Sequence, residues 1–201
     1  MPSTFTSGLR LEKIASGEQN NTWGDTGNAN LDRIDAGTAW RTVNTVDFSS
    51  TLAVVQFTLP AGIRRARIEF QNVIGPIPTS LYARFSFDGG ATLANGPTDY
   101  AFASTALTST NTQIPYGAQS SALIMTPPSL APNALAVFGD IDIDMSRRSC
   151  LWRVQGGQAD GTVLVVMGGG FCSVAGTLGA VVMGFAGTSM SNGQFKLLVS
   201  A

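Results

Sequence analysis

Asp140, Asp142 and Asp144 alternate with Ile141 and Ile143 in the run GDIDIDM. Carboxylates on alternate residues of a strand point to one side, where they suit a hard cation shared with hydroxyl or carbonyl oxygens. A calcium loop of the EF-hand kind needs glycine at its sixth position and glutamate at its twelfth. Counted from Asp140, those positions hold Met145 and Leu151. The preferred reading is a solvated strand face. A calcium site ranks behind it, and a carboxylate pair for glycoside cleavage, drawn from Asp140, Asp142 and Glu69, ranks last.

The other chemistry-bearing residues narrow the choice. The chain contains no histidine, which removes Ser-His-Asp, Cys-His and histidine-ligated zinc arrangements. Cys150 and Cys172 form no CxxC pair and read as two buried thiols, since a disulfide requires oxidising surroundings. Gly156-Gly157 and Gly168-Gly169-Gly170 lack the Lys-Ser/Thr of a phosphate loop and read as turns or bulges. No catalytic residue, metal or cofactor is expected, and the chain reads as a non-enzyme. Tyr100, Phe102 and Tyr116 fall within Ala91–Gln119, a Ser/Thr/Asn/Gly-rich stretch that reads as a long surface loop. Core or interface packing is their preferred role. Stacking on sugar rings, as in a lectin, is the second.

The elements that must position these residues are mostly strands. From about Val46 the apolar residues recur every second position: Ala66, Ile68 and Phe70; Leu81, Ala83, Phe85 and Phe87; Val137, Ile141, Ile143 and Met145. Continuous apolar runs at 52–59, 164–167, 181–185 and 195–199 read as more deeply buried strands. Turn chemistry separates them at Pro60-Ala61-Gly62, Asp88-Gly89-Gly90, Pro127-Pro128, 155–161 and Ser191-Asn192-Gly193. The expected fold is all-β, an antiparallel, jelly-roll-like β-sandwich body over residues 46–201. Residues 1–45 differ. They read as an extended arm with one short helix from Asn28 to Arg41, capped by Asn28 or Thr26 and carrying Leu31, Ile34, Ala39 and Trp40 on one stripe.

Charged residues make up 12% of the 201-residue chain, against a globular norm near a quarter, and 12 Lys+Arg oppose 13 Asp+Glu for a net charge of −1. Nucleic acid is disfavoured, because it calls for a clustered basic face. A surface so poorly charged does little to oppose self-association. The opening residues lack the apolar core of a secretory signal, and no window approaches a membrane span, so a soluble chain made in the cytoplasm is expected.

The arm carries the one specific motif. Leu9 to Gln19 ends in Gly17-Glu18-Gln19; Asn21-Thr22-Trp23-Gly24 follows, then Asn28-Ala29-Asn30-Leu31-Asp32-Arg33-Ile34. This order of Gly-Glu-Gln, Trp-Gly and Asn-x-Asn-Leu resembles the amino-terminal segment of many tailed-bacteriophage tail-fibre and related virion proteins. The likeness covers residues 9–37. It implies an arm that docks on other virion proteins of the tail or capsid through Leu9, Leu11, Ile14, Trp23, Asn30, Leu31 and Ile34, and a homotrimeric β-structured body. It also implies residence in the virion, as a short fibre or decoration, with attachment to a host surface glycan as the alternative role. The physics of Trp23 agrees: burying about 200 Å² of indole against a partner is worth several kcal/mol before ordering costs.

Overall fold

The computed structural model describes residues 4–5, 12–13, 39–75, 79–110, 113–126, 135–157 and 163–200. The seven docking residues and nearly all of the expected helix lie outside that set. Two short strands, β1 (Thr4–Phe5) and β2 (Glu12–Lys13), pair antiparallel near the start. The body comprises β3 (Arg41–Phe48), β4 (Val54–Thr58), β5 (Arg65–Gly75), β6 (Leu81–Ser86), β7 (Tyr100–Thr108), β8 (Gln113–Ser120) and β9 (Leu123–Ile124). It continues with β10 (Leu135–Asp144), β11 (Ser149–Gly157), β12 (Val163–Cys172), β13 (Ala180–Phe185) and β14 (Asn192–Ser200). The described residues contain no helix.

Every pairing is antiparallel. An eight-stranded sheet runs β3-β14-β5-β10-β11-β12-β7-β8, and a four-stranded sheet runs β4-β13-β6-β9. Four of the pairs are nested: β3 with β14, β4 with β13, β5 with β10, and β6 with β9. The pairs β11–β12 and β7–β8 extend the larger sheet beyond β10. Alternation explains the half-buried strands, as in β4, where Val55 and Phe57 are buried while Val54, Gln56 and Thr58 are exposed. β13 (AVVMGF) lies between β4 and β6 and is buried along its whole length, as its unbroken apolar run requires. The two inner faces form one core around Phe57, Ile68, Phe85, Ile141, Trp152, Val181 and Phe195.

β5 holds one irregularity. Phe70 to Val73 opposes Gly139 to Val137 on β10, and Gln71 to Ile74 opposes Gln194 to Asn192 on β14, so β5 has one residue more than either neighbour. The extra residue lies at Gln71-Asn72, both exposed, with Asn72 in the left-handed region at φ 51°.

Several sequence expectations change. β3 starts at Arg41, so the body begins ahead of the 45/46 boundary, and Trp40 is not helical: Arg67 lies 4.7 Å from its ring centroid. The stretch 91–119 is not one loop, because from Tyr100 onward it is the hairpin β7–β8. The hairpin is hard to read because Ser104 points inward and Leu107 outward, which erases the hydropathy contrast. Gly168-Gly169-Gly170 is neither turn nor bulge but the middle of β12. A Cβ on Gly168 would stand 2.5 Å from Trp152 Cζ2 and 2.6 Å from Ser104 Cβ, and one on Gly170 would stand 2.7 Å from Leu123 Cδ2. The glycines there make room for the largest core ring.

Candidate interaction face

The outer face of the larger sheet holds most of the unassigned side chains, and it divides into two halves of different chemistry. On β14, β5, β10 and β11 it is charged. Arg67 Nε and Nη2 donate to the two oxygens of Asp142, both at 2.8 Å, and Arg153 Nη2 donates to Asp140 Oδ2 at 2.9 Å. The bond to Asp142 raises the Arg67 guanidinium further above its already basic range. Asp144 instead accepts from Ser146 Oγ at 2.7 Å and from the N–H groups of Ser146 and Arg147, and the Ser146 bond lowers its pKa. The acidic ladder is thus spent on two arginines and a turn. Among the described residues no group of three or more Cys, Asp or Glu side chains is placed to hold a metal ion.

Where β5 bulges, this half opens into a cleft of about 510 Å³ lined by Glu69, Gln71, Phe138, Asp140, Arg153, Gln155, Gln194 and Lys196, with Phe70 and Gly139 as floor. Phe138, 46% exposed, is the aromatic of the cleft that faces solvent. Gln71 bonds to Gln194, which donates on to Asp47 Oδ1 at 2.5 Å. Gly139 is held to glycine by proximity, because a Cβ there would meet the Arg153 carbonyl oxygen at 2.0 Å and Phe70 Cζ at 2.9 Å.

The other half is apolar. β12 (VLVVMGGGFC), β7 (YAFASTALT) and β8 (QIPYGAQS) contain no Asp, Glu, Lys or Arg. Leu151 on β11 is 69% exposed and Met167 on β12 is 58% exposed, and Leu107, Val163 and Phe171 are about half exposed. These five side chains leave roughly 550 Å² open to water, at the top of the range of the largest patch on a monomer. The register gives the patch relief. Leu151, Gly169, Ala103 and Gly117 lie in one row, between a row of Met167, Thr105 and Pro115 and a row of Phe171, Ala101 and Gln119. Gly169, Ala103 and Gly117 thus form a short trough, closed at one end by Leu151, with Met167 and Phe171 as ridges on either side of it on β12.

Tyr100, Phe102 and Tyr116, for which core packing was the preferred role and sugar stacking the second, do not gather at a surface. Tyr100 is fully buried: its hydroxyl accepts from the Phe85 N–H at 2.7 Å and donates to the Ala94 carbonyl at 3.1 Å, and burial raises its pKa. Phe102 is buried between Tyr116 and Trp152, at centroid distances of 5.4 and 6.4 Å, and Tyr116 packs against the core. Their even spacing on β7 and β8 turns all three inward. Phe138 is the surface residue that sequence reasoning missed; Gln71 was legible as outward-facing by alternation, but the bulge beside it leaves no mark in composition. Cys150 and Cys172 are buried free thiols, and burial pushes Cys150 up to about 12. Comparison of the chain with protein-family models, with curated proteins and with solved structures finds no match in any of the three.

Proposed function

We propose that the chain is a non-enzymatic structural subunit of a tailed-bacteriophage particle, a short tail fibre or a head-fibre or decoration protein. It is anchored by its amino-terminal arm to other virion proteins and assembled as a homo-oligomer, a trimer if the arm's resemblance extends to the body. The observation that carries the reading is the charge-free outer face of β12, β7 and β8, bordered by Leu151 of β11. Apolar area of that size, with trough and ridge side by side, fits a second copy of the same surface. With its flanking small residues it approaches the roughly 800 Å² per partner of a standard interface. β8 points the same way: it ends the sheet with Pro115 but without a charged side chain to guard its edge.

The strand order supports a jelly roll. With β7–β8 and β11–β12 set aside, β3-β14-β5-β10 packs on β4-β13-β6-β9, pairing first strand with last and second with second-last, as when one long hairpin is rolled up. The motif around Trp23 supports the docking role of the arm.

The test uses particles. A chain lacking residues 1–38, which keeps Trp40 and β3, is expected to fold and to form the same oligomer as the full chain, yet to be missing from particles. Incorporation of the shortened chain at normal occupancy overturns the docking role. Light scattering that returns the 20.9 kDa monomer for the full chain overturns self-association.

A further inference from the structure

We infer that the cleft beneath Phe138 is a binding site for a neutral, polyhydroxylated ligand, a hexose unit of a glycan, with the Phe138 ring as its stacking platform. The inference does not depend on the assembly reading. Three features of the cleft select the ligand.

The first is the pairing of an exposed ring with planar polar groups. The apolar face of a pyranose stacks on an aromatic ring, while its edge presents hydroxyls, each both donor and acceptor. Around Phe138 stand Gln71, Gln155 and Gln194, whose amides donate and accept, the acceptors Glu69 and Asp140, and the donors Arg153 and Lys196. Among the described residues Glu69, Gln155 and Lys196 have no hydrogen-bonded side-chain partner, so their capacity is open to a ligand.

The second is charge. Two carboxylates face two cations in the cleft, and Asp140 and Arg153 already neutralise each other. An anionic sugar would lie against Glu69 and Asp140, and a cationic ligand against Arg153 and Lys196. The balance therefore favours an uncharged ligand.

The third is construction. Gln71 follows Arg67 and Glu69 on the outer face, the extra residue Asn72 widens β5 beside it, and Gly139 allows β10 and β11 to approach closely at the floor. The volume of about 510 Å³ falls within the range of small-molecule sites. The cleft also lies beside the apolar half, because Arg153 on its rim is directly opposite Met167. A second copy seated on β12, β7 and β8 would leave it open, and an oligomer would present several such sites, multiplying weak individual binding.

The experiment is a panel of immobilised neutral oligosaccharides built from glucose, galactose, mannose and N-acetylhexosamines, with sialylated glycans as the charged arm. It is probed with the full-length protein after its mass has been measured. Saturable binding to a neutral member is expected, weakened about tenfold by Phe138→Ala and also weakened by Gln155→Ala, with the oligomer unchanged. A blank panel, binding confined to sialylated glycans, or neutral binding that survives Phe138→Ala overturns the assignment. The mass measured on the same sample shows separately whether self-association stands.

Discussion

Tyr100 shows how a single hydroxyl decides between surface and core. A tyrosine in a Ser/Thr-rich stretch reads as an exposed ring, yet this one closes a hydrogen-bonded link between β6 and the chain before β7, bonding Phe85 N–H and Ala94 carbonyl at once. Removing the oxygen leaves both backbone groups buried and unpaired. Tyr100→Phe is therefore expected to lower the unfolding free energy by about 1–3 kcal/mol in urea denaturation while leaving glycan binding untouched. A neutral change would show that water replaces the hydroxyl. The two half-paired acids make the complementary point. Asp140 and Asp142 look alike in GDIDIDM, but Asp142 lies against β5 and Arg67 with side chains about one-fifth to one-quarter exposed, whereas Arg153, the partner of Asp140, is more than half exposed. The first pair holds β5 to β10 and the second stays within reach of a ligand.

At the scale of the element, β12 is the strand whose sequence is least like its role. Three consecutive glycines weaken a strand intrinsically, since glycine loses the most backbone freedom on folding. Gly168 and Gly170 persist in β12 because Trp152 and Leu123 occupy the space where their side chains would sit. Gly168→Ala places a methyl 2.5 Å from the Trp152 ring, so it is expected to destabilise by about 1–3 kcal/mol through overpacking, read as a lower melting temperature with shifted Trp fluorescence. Strands such as β5 and β6 were legible because inside and outside differ in polarity at nearly every step. β7, β8 and the glycine run of β12 were not, because one face meets the core and the other is itself apolar or small. A strand with two apolar faces carries no period-two signal. The loss of that signal is itself informative, since it marks the part of the sheet whose outer face is not built for water.

For the whole molecule, the division of one sheet face into a charged and an apolar half separates the two proposed roles in space. Leu151 and Met167, the most exposed large apolar side chains among the described residues, lie where the apolar half borders the charged one and contribute little to the monomer's own core. The double variant Leu151→Lys, Met167→Lys is expected to fold with a circular dichroism spectrum like that of the parent and to run as a monomer by light scattering, because buried lysines oppose a copy-to-copy contact. An unchanged oligomer would place self-association elsewhere on the surface. The same variant should lose avidity on a multivalent glycan surface while keeping single-site affinity, since Phe138 is untouched.

The all-β class, turns such as Pro60-Ala61-Gly62 and Asp88-Gly89-Gly90, and the low charge were determined by the amino-acid sequence alone. These properties are local or additive: alternation, turn residues and charge count do not depend on what each strand meets. The motif around Trp23 belongs with them, being a matter of residue order. Tertiary structure alone decided which strands pair, that Tyr100, Phe102 and Tyr116 face inward, and that Phe138 sits above a cleft beside the bulged Gln71. The physical reason is that a strand's two faces are equivalent until a second sheet covers one of them. Whether an exposed aromatic is a core ring or a platform is settled by residues distant in the chain, as Gly139 opposite Arg153 and Gly168 beneath Trp152 show.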